Sequence, residues 1–282
     1  MELYGNYFPK FGHEVVWIVP GSVKHTEKRK YNSIDFYIIP YQKHTNPIKR
    51  IMNQILYEWR KKNLIKNLLR SSRFDIIQAR NNVFNGLWGI YFRYLFHNPF
   101  VYHITFLEAY NDFDEKKFSL FLYILNFSSN IVNRLIFRQA NLILPMSRFM
   151  GKQLVISWVE QQKVFPLPMA VNTEKFRPDL DLCDLKKKYK FENITLFVYV
   201  GSMAKMRQLE IVIKAFESAK KQVSNIKLML VGDGSGKDSL IHLSQQYSLE
   251  DSIIFTGNVP YEEVPKYVGI ADIGLSPIPP IR

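Results

Sequence analysis

Short apolar runs separated by longer segments of helical period set the plan of this chain. EVVWIVP (14–20) reads as a buried strand ending at a Pro-Gly turn, and IDFYIIP (34–40) reads as a second. IKRIMNQILYEWRKKNLIKNLLRSS (48–72) is a long helix, with Ile51, Ile55, Leu64 and Leu68 among its apolar positions and basic residues elsewhere. FDIIQAR (74–80) and PFVYHIT (99–105) are further strands. LIFRQANLILPMS (135–147) runs a helix into a strand, and KVFPLPMAV (163–171) follows as the last strand of this half. Strands alternating with helices predict a parallel sheet with helices on both faces.

The polar stretch NTEKFRPDLD (172–181) leads out of that last strand and places a domain boundary near 175. An interdomain segment over 176–194 contains the charged helix LCDLKKKYKF (182–191). The plan then repeats with clearer punctuation. TLFVYVGSM (195–203), IKLMLVGDG (226–234), SIIFTGNVP (252–260) and DIGLSPIP (272–279) read as strands and turns. Between them lie helices at 208–223, 237–249 and 261–271, the first with Leu209, Val212, Ile213 and Phe216 on one face. Four strands and three helices make half of a doubly wound sheet plus one extra strand, so 195–282 reads as an incomplete second domain.

LMLVGDGSGKDSL (228–240) is a strand, a glycine-rich turn and a helix, the setting of a phosphate-binding loop. The spacing excludes that reading. The Gly-Lys pair is Gly236-Lys237, yet Val231 stands where the first glycine is needed and Asp238 where a magnesium-ligating hydroxyl is needed. The turn reads instead as a strand-to-helix connection of an α/β sheet.

Composition narrows the setting. With 282 residues the chain is long enough for two cored domains. One cysteine, Cys183, excludes an internal disulfide framework and a cysteine-rich zinc site, which fits a reducing compartment. The start MELYGNYFPKFGHEV lacks the apolar core of a signal peptide, so a cytoplasmic location is expected. FSLFLYILNF (118–127) is too short to span a bilayer and reads as a buried helix face or, alternatively, a shallow membrane-contacting one. The net charge is +13, and it is uneven: residues 1–180 hold 25 Lys/Arg against 13 Asp/Glu, residues 181–282 hold 13 against 12. The excess clusters at 24–30, 49–50, 60–70 and 116–117. An anionic membrane surface or nucleic acid would suit such a half, and so would plain solvation. The scattering of the basic residues and the lack of a recognition motif argue against nucleic acid.

Several segments in order resemble glycosyltransferase family 4, retaining enzymes of the GT-B fold. They are FGHEVVWIVP, LILPMS, PLPMAVNTEKFRP, and the run YVGSMAKMRQLEIVIKAF … IKLMLVGDG … IIFTGNVPYEEVPKYVGIADIGLSP. In the third, Ala170 stands where the family has glycine. The resemblance implies a GT-B-like α/β protein of two Rossmann-like domains. It implies transfer of a sugar from a nucleotide-diphosphate sugar to a glycan or lipid-linked acceptor, in cell-envelope or surface polysaccharide assembly. The nucleotide sugar is a co-substrate; no cofactor and no metal are expected.

The resemblance also assigns residues. Gly201 ends a strand where backbone can approach the donor, and Arg207 aligns with a phosphate-binding basic residue, with Lys205 as a helper. Ser202 takes the place of a second phosphate-binding arginine, and Gln208 that of a glycine. Gly257 and Val259 belong to a turn that packs against the nucleotide base. On the acceptor side, Thr105 falls in the register of a cleft histidine and His103 lies two residues earlier on the same strand face, either a catalytic group or a core histidine. Glu108 is a second catalytic candidate. Asn111-Asp112-Phe113-Asp114 holds an Asp-x-Asp that reads as a solvated loop. The family's first strand with its glycine-rich loop, and its paired glutamates, have no counterpart between Met1 and Arg282. The chain therefore reads as a fragment, and an inactive remnant or a donor epimerase stands as the alternative to a working transferase.

Overall fold

The structure, a computed structural model, describes residues 3–31, 34–42, 44, 46–105, 131–157, 159–189, 191 and 193–277. The chain divides into two compact units, Met1–Ala170 and Val171–Arg282.

The first unit opens with a helical turn, Leu3–Tyr7, that continues as α1 (Phe8–Lys10). Strands β1 (Val15–Gly21), β2 (Glu27–Tyr31) and β3 (Ile34–Pro40) form a sheet in the order β1-β3-β2. β1 and β3 are parallel, and β2 is antiparallel to β3. The sequence reading took 24–30 as a charge cluster only. The structure makes part of it an edge strand, EKRKY, whose Lys28 pairs with Asp35 of β3 at 2.7 Å. A charged outer strand of this kind discourages further edge pairing.

Helix α2 (Pro47–Ser71) starts cleanly. Asn46 accepts a hydrogen bond from the Lys49 amide at 3.1 Å, and proline occupies the first turn, where its missing N–H costs nothing. A second, fully parallel sheet follows, with β4 (Ile77–Arg80), β5 (Phe100–Ile104) and β6 (Leu142–Pro145) in that order. Helices α3 (Val83–Phe96), α4 (131–139) and α5 (Arg148–Ser157) accompany it. One core gathers Phe100, Tyr102 and Ile104 of β5, Ile136 and Phe137 of α4, and Leu154 of α5. α3 approaches β5 so closely that a Cβ at Gly89 would meet the Phe100 ring at 2.1 Å.

The strand expected over 163–171 does not form. A short 3-10 turn, Gln161–Lys163, is followed by a single bridge from Val164 to Ile143. Phe165 and Leu167 still donate to the Ile143 and Pro145 carbonyls, at 2.9 and 2.8 Å, but Pro145 of β6 has no N–H to return, so the ladder stops.

In the second unit, after α6 (Cys183–Tyr189), strands β7 (Thr195–Val200), β8 (Ile226–Val231), β9 (Ile253–Gly257) and β10 (Ile273–Leu275) form one parallel sheet in the order β10-β7-β8-β9. α7 (Glu210–Lys220), α8 (Lys237–Gln246) and α9 (Val264–Gly269) connect them. Ile213 and Phe216 of α7 and Leu240 of α8 cover Leu228 and Leu230 on one face. Tyr267 of α9 and Ile270 cover Leu196, Val198, Met229 and Val231 on the other. Burial on both faces explains why β8 is an unbroken apolar run apart from Lys227.

Candidate functional site

Parallel α/β sheets bind ligands at the carboxyl ends of their strands. In the second unit the ends of β7, β8 and β9 meet through glycines. The Gly201 amide donates to the Val231 carbonyl at 2.9 Å, and the Gly232 amide donates to the Gly257 carbonyl at 3.0 Å. The loop after β8 presses on the loop after β7: the Met203 amide donates to the Asp233 carbonyl at 2.9 Å, and the Gly236 amide to the Met203 carbonyl at 2.8 Å. The glycines of Gly-Asp-Gly-Ser-Gly thus serve backbone-to-backbone contact inside the fold.

This platform carries exposed polar groups. Ser202 is exposed, and its hydroxyl accepts from the Ala204 amide at 3.3 Å. The buried Met203 fixes the loop to the core beneath. Lys205 and Arg207 lie on a 3-10 turn, Lys205–Arg207, before α7 begins at Glu210. Both are exposed, and neither has an acidic partner within ion-pair distance among the described residues. Burial raises the Tyr199 phenol above its ordinary pKa, while the Arg207 guanidinium opposes that rise, so the cation stands near this ring. The Tyr199 hydroxyl donates to the Ser202 carbonyl at 2.9 Å and holds the loop from below. Gln208 sits at φ 50°, in the left-handed region that glycine adopts without strain.

Gly257 ends β9 at φ 73°. Val259 is half-buried and packs on the Leu196–Val231 face of the sheet. Sequence reading passed over Lys237 once the phosphate-loop spacing failed. The structure brings its ammonium 3.6 Å from where a Cβ of Gly257 would stand, and 3.7 Å from the Asp233 carboxylate. The Asp233…Lys237 spacing at i,i+4 across a helix start was the available signal.

In the first unit, β4 and β5 end side by side, with Arg80 paired in register to His103. His103 is 8% exposed, and its Nδ1 is sealed from solvent without a hydrogen-bond partner. Burial, and secondarily the Arg80 guanidinium, push its pKa below the ordinary histidine value, so the imidazole is held neutral. Asn81 ties the two strand ends together. Its side chain accepts from the Thr105 amide at 2.7 Å and donates to the Thr105 hydroxyl at 2.7 Å. Its backbone amide donates to the His103 carbonyl at 2.9 Å. Sequence reading missed Arg80 and Asn81. An asparagine directly after a strand is a left-handed turn signal, and Asn81 indeed has φ 54°. Glu108, Asp112, Asp114 and the segment 118–127 lie outside the described residues. Among the described residues no group of His, Cys, Asp or Glu could hold a metal ion, and no helix is long and apolar enough to cross a membrane.

Solved structures define the class. The Anabaena protein HepE in complex with UDP-glucose superposes with a TM-score of 0.64 at 13% identity, over 93% of this chain and 73% of that one. The fold is that of GT-B glycosyltransferases. Family models then place the chain within the class: residues 3–175 match glycosyltransferase family 4, and residues 184–278 match the glycosyl transferases group 1. The chain belongs to glycosyltransferase family 4.

Among curated relatives, an uncharacterized glycosyltransferase of Methanocaldococcus jannaschii is 27% identical over 258 residues, 89% of this chain and 61% of that protein. A GDP-mannose-dependent alpha-(1-6)-phosphatidylinositol monomannoside mannosyltransferase of Mycobacterium tuberculosis is 28% identical over 112 residues, 39% of this chain and 29% of that protein. The chain thus spans less than two thirds of the length of either relative.

Proposed function

We propose that this protein transfers a sugar from a nucleotide-diphosphate sugar to a glycan or lipid-linked acceptor in cell-envelope or surface polysaccharide assembly, with retention of anomeric configuration. One observation carries the reading: two exposed cations, Lys205 and Arg207, with no acidic partner among the described residues, flank the glycine-lined carboxyl edge of the second unit's sheet. When the bond from sugar to phosphate breaks, negative charge grows on the leaving diphosphate. The Arg207 guanidinium can fork two of its oxygens, and Lys205 adds a second cation. The bare backbone at Gly201 leaves room for the phosphates, Ser202 offers a hydroxyl, and the turn from Gly257 to Val259 offers its backbone to the nucleotide base. The nucleotide sugar is the co-substrate, with no resident cofactor or metal.

We assign the acceptor chemistry to the end of β5. His103 lies there, and Glu108 follows it in the chain. The mycobacterial relative is named for a phosphatidylinositol-linked acceptor and the Anabaena neighbour holds UDP-glucose, which supports both halves of the reading.

The test is calorimetric titration of a panel of UDP- and GDP-sugars into the protein and into Arg207→Ala. Losing charge-assisted hydrogen bonds worth about 1.5–3 kcal/mol raises Kd by roughly 10- to 100-fold. Equal affinity in the variant removes Arg207 from the site. No binding across the panel removes the donor reading altogether.

A further inference from the structure

We propose that Lys237 selects the nucleobase of the donor, favouring guanine or uracil, which carry a carbonyl oxygen, over adenine; the assignment rests on the donor reading above. Lys237 is the first residue of α8, and its side chain is only 25% exposed. Neither condition favours the fold, because a cation at a helix N-terminus opposes the macrodipole and burial strips an ammonium of water. The group has three N–H donors and little to give them to. The Asp233 carboxylate stands 3.7 Å away, beyond hydrogen-bond reach, and its other oxygen already accepts from the Gly234 amide at 2.7 Å. The ammonium has no hydrogen-bonding partner among the described residues. It lies 3.6 Å from where a Cβ of Gly257 would stand, beside a turn that offers bare backbone at φ 73°.

The place along the sheet decides which part of the donor Lys237 meets. Lys205 and Arg207 follow β7, and Gly257 ends β9, with β8 between the two strands. Two strand spacings, about 10 Å, separate the end of β7 from the end of β9. A nucleoside bridges such a distance between its 5′ phosphate and its base. Lys237 therefore meets the base, while Lys205 and Arg207 meet the phosphates. Bases differ in what they show an ammonium. Guanine presents the carbonyl O6 next to N7, and uracil presents the carbonyl O4, all of them acceptors. Adenine puts its N6 amino group, a donor, where guanine has O6. Lysine accepts no hydrogen bond, so with adenine the ammonium and the amino group face each other unpaired at a part-buried position.

The test is calorimetric titration of GDP, UDP and ADP into the full chain, into Lys237→Met and into Lys237→Gln. The three ligands share ribose and diphosphate, so the contributions of Lys205 and Arg207 cancel across the panel. The wild type is expected to bind GDP or UDP at least about tenfold more tightly than ADP, and the order of those two names the base. Lys237→Met should weaken the preferred ligand by roughly 10- to 100-fold and leave ADP within about twofold. Lys237→Gln carries both a donor and an acceptor, so it should narrow the gap to ADP. Thermal melting curves of the three proteins should coincide, since the substitutions remove only a loose ion pair. Equal affinity of the wild type for all three ligands overturns the proposal and leaves the donor reading standing. So does a variant that keeps the wild-type order, or an equal loss for all three ligands, which would put the ammonium on the phosphates or the ribose. Failure of the wild type to bind any of them overturns both.

Discussion

A Cβ at position 232 would stand 2.0 Å from the carbonyl oxygen of Gly201. The ends of β7 and β8 therefore approach so closely that position 232 has no room for a side chain. Position 234 repeats the constraint, where a Cβ would stand 2.5 Å from the Met203 carbonyl carbon. The strand–glycine–helix pattern that looks like a phosphate loop is here a device for joining two loops at the edge of the sheet. It sets where Ser202 sits, and the 3-10 turn bearing Lys205 and Arg207 follows directly.

Gly232→Ala should accordingly be costly. Its φ of 133° is strained for any other residue, and the new methyl group would collide with fixed backbone. Strain and overpacking each cost about 1–3 kcal/mol, so a loss of roughly 3 kcal/mol is expected. Gly274→Ala is the control, since nothing lies within 4 Å of its Cβ position. It should change stability by less than about 1 kcal/mol. Urea midpoints measure both. Equal midpoints would mean that the two loops separate without cost.

Gln208 tests the same edge in the opposite direction. It holds φ 50° and ψ 43° between the Lys205–Arg207 turn and α7. A non-glycine residue in this region costs about 1 kcal/mol, which glycine avoids. Gln208→Gly is therefore expected to stabilise the second unit only slightly, by at most about 0.6 kcal/mol after the roughly 0.4–1 kcal/mol of added freedom of its unfolded chain is deducted. A fall in melting temperature would show that the Gln208 side chain contributes more than its backbone strain removes.

The second unit was legible because its strands are buried on both faces and its turns carry glycine, so each element announces itself over five or six residues. The first unit was less so. β2 was hidden because an edge strand needs no apolar pattern, and EKRKY reads as charge. The strand expected at 163–171 was suggested by hydrophobicity but stops after one bridge, because Pro145 of the neighbouring β6 has no N–H to return to it. α2 was recognised as a helix, but its faces were not. Periodicity reports that apolar residues share a stripe, not which way the stripe points, and here Ile51 and Ile55 point outward while Leu64 and Leu68 are half-buried. On the candidate site, Arg207 and Gly201 were singled out through family resemblance. Arg80, Asn81 and Lys237 needed the strand register and the loop contacts, which no local pattern encodes.

The inward face of α2 makes its own prediction. Glu58 accepts from Trp88 Nε1 at 2.7 Å and from Gln54 at 2.9 Å, and Lys61 also donates to Asn85 at 2.8 Å. Burial drives the Lys61 pKa below its ordinary value against the pull of Glu58. The pair joins α2 to α3 at the cost of two desolvated charges. Glu58→Ala leaves an uncompensated ammonium and an unsatisfied indole N–H, and should cost about 3–5 kcal/mol. Lys61→Met with Glu58→Gln removes both charges and keeps an acceptor for Trp88, so it should recover most of that loss. Urea denaturation of the three proteins decides. If the double variant is as unstable as Glu58→Ala, the charge itself is stabilising.

The neutral, sealed imidazole of His103 should appear in the pH dependence of stability. Its ordinary pKa is 6.5, and burial together with Arg80 lowers it in the folded chain. Above pH 6.5 the group is neutral in both states and adds no slope. As the pH falls through 6.5, the unfolded chain takes up a proton that the folded chain refuses, so unfolding is favoured. The contribution approaches about 1.4 kcal/mol per pH unit while only the unfolded state is protonated, and it levels off once the folded histidine titrates as well. His103→Gln cannot titrate and should lack this acid-side slope even if it is less stable overall. Arg80→Gln removes one of the two causes of the shift, so the slope should begin at the same pH and level off sooner on acidification. Stability measured by urea denaturation from neutral to mildly acidic pH separates these outcomes. Parallel curves for the wild type and His103→Gln would mean that water or a mobile group reaches Nδ1 in solution.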